Sequence, residues 1–172
     1  MAKKDRPSEM IIEIKMDNQN STYFTTEALA KMVQVQGKTL AQVVIILWQN
    51  AIDPNNSLEI IDGLQLRFAD GERITIGCNE IGNGLDIVEP NFQETKKQLD
   101  TEFEGKIKLH VLDASKTKMW ETIPGKILTS MRVTREEENY KADSLVLDFG
   151  DEGRTIAISP NDGLVIDYYE QV

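Results

Sequence analysis

Apolar residues recur at every second position in two well-separated stretches of the chain. Leu64, Leu66 and Phe68 form one run; Leu145, Leu147 and Phe149 form the other. A period of two puts each set on one face of a β-strand. The intervening residues are Gln65 and Arg67 in the first run and Val146 and Asp148 in the second, so the opposite face is mixed or wet. Asp70-Gly71 and Asp151-Glu152-Gly153 then supply hairpin chemistry, acidic residues followed by glycine. Ile74 and Ile76 on the first return strand correspond to Ile156 and Ile158 on the second. Leu85 and Ile87 correspond to Leu164 and Ile166 on the next strand.

The correspondence extends upstream. Gly37-Lys38-Thr39-Leu40 aligns with Gly125-Lys126-Ile127-Leu128, and Lys31-Met32 falls near Lys118-Met119. Ile12 to Asp17 resembles Lys108 to Asp113. These matches predict a β-rich α+β fold, a tandem duplication of an antiparallel β unit of about five strands. One N-terminal helix and one short linker helix accompany the strands. The two units would pack as a pseudo-twofold sandwich. The expected divisions are a frayed polar N-terminus (1–9), a first unit (10–89), a linker helix (90–105) and a second unit (106–172).

Between the repeats the period changes. Met10 to Met16 alternates as a strand, and Asn18 to Ser21 reads as a turn. Thr25 or Thr26 can cap a helix that runs to Val35, with Phe24, Ala28, Met32 and Val35 on one face and Gly37 as its stop. Gln42 to Gln49 reads as a strand that is apolar on both faces. Asn91 to Glu104 turns to helical spacing, with Phe92, Leu99 and Phe103 sharing a face and Gly105 closing it. Ser115 to Thr122 suggests a helical turn stopped by Pro124, Glu136 to Tyr140 a polar hairpin loop, and Val165 to Tyr169 a last strand.

A duplicated sequence carries its own control. Val43, Ile45 and Leu47 align with Met131, Val133 and Arg135 and share the core-facing side of their strands. Val44, Ile46 and Trp48 align with Arg132, Thr134 and Glu136. The same face is built for water in the second unit and is apolar in the first. Three large apolar side chains on one strand need a cover, each being worth roughly 1.5–3 kcal/mol when buried. Val44, Ile46 and Trp48 are therefore a candidate interface. The cover could be the first helix, the linker helix, a second copy of the chain, or another partner.

Catalytic chemistry is thinly represented. His110 is the sole histidine and Cys78 the sole cysteine, too few for a structural zinc site or an internal disulfide. The alternating run around His110 makes it a strand residue, and Cys78 reads as a half-buried, inert thiol. Asp53 to Ser57 opens like a calcium loop, but Leu58 and Leu64 stand where glycine and the closing glutamate belong. Gly82-Asn83-Gly84 leads into a strand, so no helix N-terminus is offered to phosphate. Asp62 and Asp143, and Asp70 and Asp151, are equivalent carboxylate pairs. They could form an acid dyad, against the plainer reading as turn residues.

The net charge is −10, shared equally: 8 basic and 13 acidic groups in residues 1–90, 11 and 16 in residues 91–172. An even acidic balance argues against nucleic acid as the partner and leaves a homodimer or a basic protein. The first residues lack the apolar core of a secretory signal, and the run Val43 to Trp48 is too short to span a bilayer. A cytoplasmic location and no membrane or cofactor are expected. These features point first to a non-catalytic acidic protein-interaction module, such as a bacterial immunity or inhibitor protein. The alternative is a small-molecule binding protein with an apolar cleft between the two β units. A carboxylate-dependent hydrolase is a third reading.

Overall fold

The computed structural model describes residues 22–53, 55, 58–159 and 163–169. The expected N-terminal strand at Met10–Met16 and turn at Asn18–Ser21 lie outside these residues. Helix α1 spans Thr26–Val35, and the Thr25 hydroxyl caps it by accepting the Ala28 N–H at 3.1 Å. Strands β1 (Leu40–Asn50), β2 (Leu58–Phe68), β3 (Arg73–Cys78) and β4 (Leu85–Val88) follow. Asn91 caps helix α2 (Phe92–Phe103) by accepting the Glu94 N–H. The remainder is β5 (Ile107–Asp113), β6 (Ser130–Arg132), β7 (Arg135–Glu136), β8 (Asn139–Tyr140), β9 (Ser144–Asp148), β10 (Gly153–Ser159) and β11 (Gly163–Tyr169).

Nine of these strands join in one mixed sheet, so the strands of the two expected units run into each other. Its order is β4-β3-β2-β11-β10-β9-β6, with β1 on β2 and β5 on β1. β7 and β8 pair separately as a short hairpin. The long strand β2 is the branch point. β1 pairs with it antiparallel along its whole length. On its other side Gly63–Arg67 pairs with β3, while Ile61 meets Gly163 of β11 in parallel. A Cβ on Gly163 would run into the Ile61 carbonyl oxygen, so only glycine fits at this junction.

β5 opens the second half of the chain but does not pair there. It lies antiparallel along β1, with Val44 opposite Asp113 and Trp48 opposite Leu109. A second link joins the halves. Gly37 N–H donates to Leu128 O at 2.7 Å and Gly125 N–H to Leu40 O at 2.8 Å. Leu40 N–H donates to Lys126 O and Leu128 N–H to Lys38 O, both at 2.9 Å.

The alternation read from the sequence becomes the core. Leu64, Leu66, Phe68, Leu145, Leu147 and Phe149 are buried together with Ile74, Ile76, Ile156 and Leu164 in one cluster. Ala28, Met32 and Val35 of α1 close it on one side, and Trp120, Ile123 and Leu128 contribute from the connection before β6. Residues 115–122 form a series of turns, in which Glu121 N–H donates to Thr117 O at 2.8 Å, one helical turn back. Trp120 and Ile123 are buried from this connection.

Candidate functional site

A second, smaller cluster lies on the opposite face of the sheet. Ile46, Leu99 and Leu109 are buried in it, with Trp48, Phe92 and Ile107 packed around them. Ile46 and Trp48 of the candidate interface face belong to this cluster. Val44 and Ile46 are buried and Trp48 is half-buried; Phe92 and Leu99 of the linker helix α2 and Ile107 and Leu109 of β5 pack with Ile46 and Trp48. Of the helix face predicted from spacing, Phe92 and Leu99 pack inward, while Phe103 remains exposed. The helix ends at Phe103, with Glu104 as its C-cap, so Phe103 lies in its last turn, beyond the packed stretch.

α2 does not seal the sheet completely. Between them is a chamber of about 200 Å³, lined by Ile46, Val88, Pro90, Phe92, Thr95 and Leu109, with Asp62, Thr75 and Cys78 among the polar and sulfur-bearing groups. Its floor includes Gly63 and Gly77, which are directly paired across β2 and β3. Two facing glycines leave bare backbone where side chains would stand. The floor is also tight: a Cβ on Gly63 would come within 2.8 Å of Ile46 Cδ1, and one on Gly77 within 3.2 Å of Val88 Cγ2. A larger groove of about 560 Å³ adjoins it, reaching from Lys31, Gln34 and Val35 of α1 across Arg73 and Thr75 to Phe92. The two share Thr75, Val88, Pro90 and Phe92.

Polar order beside the chamber is well defined. Gln65 and Thr75 are buried, and Gln65 Nε2 donates to Thr75 Oγ1 at 2.9 Å. Arg67 Nε donates to Gln65 Oε1 at 2.7 Å, and Gln42 Nε2 to Asp113 Oδ2 at 3.0 Å. The face that looked mixed in the sequence therefore carries a hydrogen-bonded chain of side chains along β3, β2, β1 and β5.

Asp62 stands apart. Burial pushes its carboxyl above the usual aspartate range, opposed by the neighbouring Trp48 indole. The Trp48 N–H is itself buried and reaches no acceptor in full hydrogen-bonding geometry. Cys78 is a free, half-buried thiol, and burial and then the Asp62 charge hold its pKa up. A thiol so placed is a poor nucleophile.

The other residues weighed from sequence sit elsewhere. Asp70 is ion-paired to Lys38, and Asp151 to Lys126 at 2.9 Å. Both carboxyls are held below the ordinary range by those lysines. Asp143 lies 3.7 Å from the Lys141 ammonium. His110 Nε2 is 3.0 Å from Gln49 Oε1, on β5. Asp62 and Cys78 do meet, at the chamber. Sequence reasoning placed Asp62 in a turn and missed the cavity; its available signal was Gly63 and Gly77 inside strand patterns, which mark a close approach.

Among the described residues no helix is long and apolar enough to cross a membrane, and no group of three or more His, Cys, Asp or Glu side chains is arranged to hold a metal ion. No family model matches the chain, and neither a curated protein nor a solved structure is significantly similar to it.

Proposed function

We propose that the protein is a non-catalytic binding protein whose small apolar ligand sits beneath α2. The observation that carries this reading is the chamber itself: apolar walls, a paired-glycine floor and a helical roof. Its volume of about 200 Å³ suits a single aromatic ring with a short substituent. An apolar cavity of about 150 Å³ suffices for benzene. The ligand site lies beneath the linker helix instead of between the two β units. The protein-interaction reading drew on the face of Val44, Ile46 and Trp48. With that face packed inside the chain, the reading retains net charge as its support.

The architecture is that of a tandem duplication whose halves exchanged strands. The supports are the two matching pairs of hydrogen bonds between Gly37–Leu40 and Gly125–Leu128, and the matching pairs Lys38–Asp70 and Lys126–Asp151. On this reading the chamber has no counterpart in the second unit, whose equivalent strand face carries Arg132, Thr134 and Glu136, although Leu109 and the linker helix help to line it.

The test is an NMR titration of ¹⁵N-labelled protein with toluene. Saturable shifts at the Gly63, Thr75, Gly77 and Cys78 amides are expected. Thr95→Leu should abolish them, because a larger side chain on α2 fills the chamber. The same change should not weaken the helix, since leucine is the better helix former by about 0.5 kcal/mol. A titration that leaves these amides unmoved at millimolar toluene would overturn the reading.

A further inference from the structure

We propose that the chamber beneath α2 selects a small organic cation, an aromatic ring carrying a short alkylammonium arm that pairs with Asp62. This rests on the ligand-binding reading above and deepens it.

The argument is one of charge balance in a confined space. The ionisable side chains lining the chamber are Asp62 and Cys78, and no lysine or arginine lines it. Several acids elsewhere in the protein have a cation in reach. Asp70, Asp143, Asp148 and Asp151 each have a lysine or arginine within ion-pairing distance, and so do Glu89 and Glu152. Among the described residues Asp62 has no such cation, although it is more deeply withdrawn from water than those carboxylates of the turns. A half-buried carboxyl without a counter-charge costs free energy that a bound cation restores. A ligand anion would meet the Asp62 charge directly. A neutral hydrocarbon would fill the walls yet strip more water from Asp62.

The remaining groups suit a cation as well. Phe92 presents an aromatic ring at the chamber wall, where an ammonium gains from the ring face. The chain's charge of −10 raises the local concentration of cations at its surface. The adjoining groove is charge-balanced, Glu72 and Glu89 being offset by Arg73 and by Lys31, which pairs with Glu89 at 3.0 Å.

The experiment compares three ligands of one size by titration at neutral pH: benzylammonium, toluene and benzoate. Benzylammonium is expected to bind at least tenfold more tightly than toluene, and benzoate not measurably. Asp62→Asn keeps the shape and removes the charge. It should cancel the benzylammonium advantage and leave toluene affinity unchanged or higher. Thr95→Leu, which leaves Asp62 untouched, should remove binding of both. Equal affinity for toluene and benzylammonium, or an advantage that survives Asp62→Asn, would overturn the cation assignment while leaving the chamber a ligand site. Failure of all three ligands on the wild-type protein would overturn both.

Discussion

Thr39 and Ile127 face each other across an antiparallel bridge between the two halves of the chain. Four backbone hydrogen bonds surround this contact, and each reaches from one Gly-Lys-x-Leu segment to the other. Gly37 and Gly125, at the heads of those segments, have φ of 89° and 96°. No heavy atom lies within 4 Å of a Cβ built at either position, so the cost of a side chain there is conformational alone. Gly37→Ala and Gly125→Ala are each expected to destabilise by about 1–2 kcal/mol, the left-handed penalty for an L-residue. Urea denaturation measures both, and the two costs should agree closely.

The cover over Ile46 rests on one helical side chain. Leu99 is the buried residue of α2, and it packs with Ile46 and Leu109. Leu99→Ala should cost about 2–4 kcal/mol through lost packing and the cavity left behind. Phe103→Ala, on the exposed end of the same helix, should stay within about 0.5 kcal/mol. Equal costs in urea denaturation would mean that α2 contributes nothing to the core.

Asp62 gives stability a distinctive pH dependence. Its folded-state pKa is raised, so the folded chain holds a proton that the unfolded chain has released. Stability therefore falls as pH rises from the ordinary aspartate pKa through the raised one, and the full penalty is present above it. Asp62→Asn is expected to raise stability at pH 7. The gain should shrink as the pH falls through the raised pKa and vanish below the ordinary value. Asp70, Asp113, Asp151 and Glu152 are shifted downward, so their contributions are lost in acid. The comparison is of variant against wild type across pH, by thermal or urea unfolding.

Arg154 is buried at 2 % exposure on β10. Its guanidinium donates to Met119 O at 2.9 Å and Gly153 O at 2.8 Å, and lies 4.6 Å from the Tyr168 ring centre. Planarity and multiple donors do this work, and an ammonium offers neither. Arg154→Lys should cost nearly as much as Arg154→Ala, about 3 kcal/mol each. Full retention of stability by the lysine variant would show that charge alone suffices.

Local chemistry determined a large part of this protein. Alternation placed Leu64, Leu66, Phe68, Leu145, Leu147 and Phe149 in the core, and each is buried. Thr25, Asn91 and the glycines after each helix marked α1 and α2 within a residue or two. These signals are legible because side-chain period and capping are properties of neighbouring residues. Tertiary structure decided the rest. Nothing near Leu109 says that β5 pairs with β1 of the other half, because a strand edge accepts any complementary edge. The apolar face of Ile46 announced a need for cover without naming it, since burial rewards area and ignores its source. Asp62 reads as a turn acid in one dimension. It came to line a chamber only when β2, β3 and α2 met around Gly63 and Gly77.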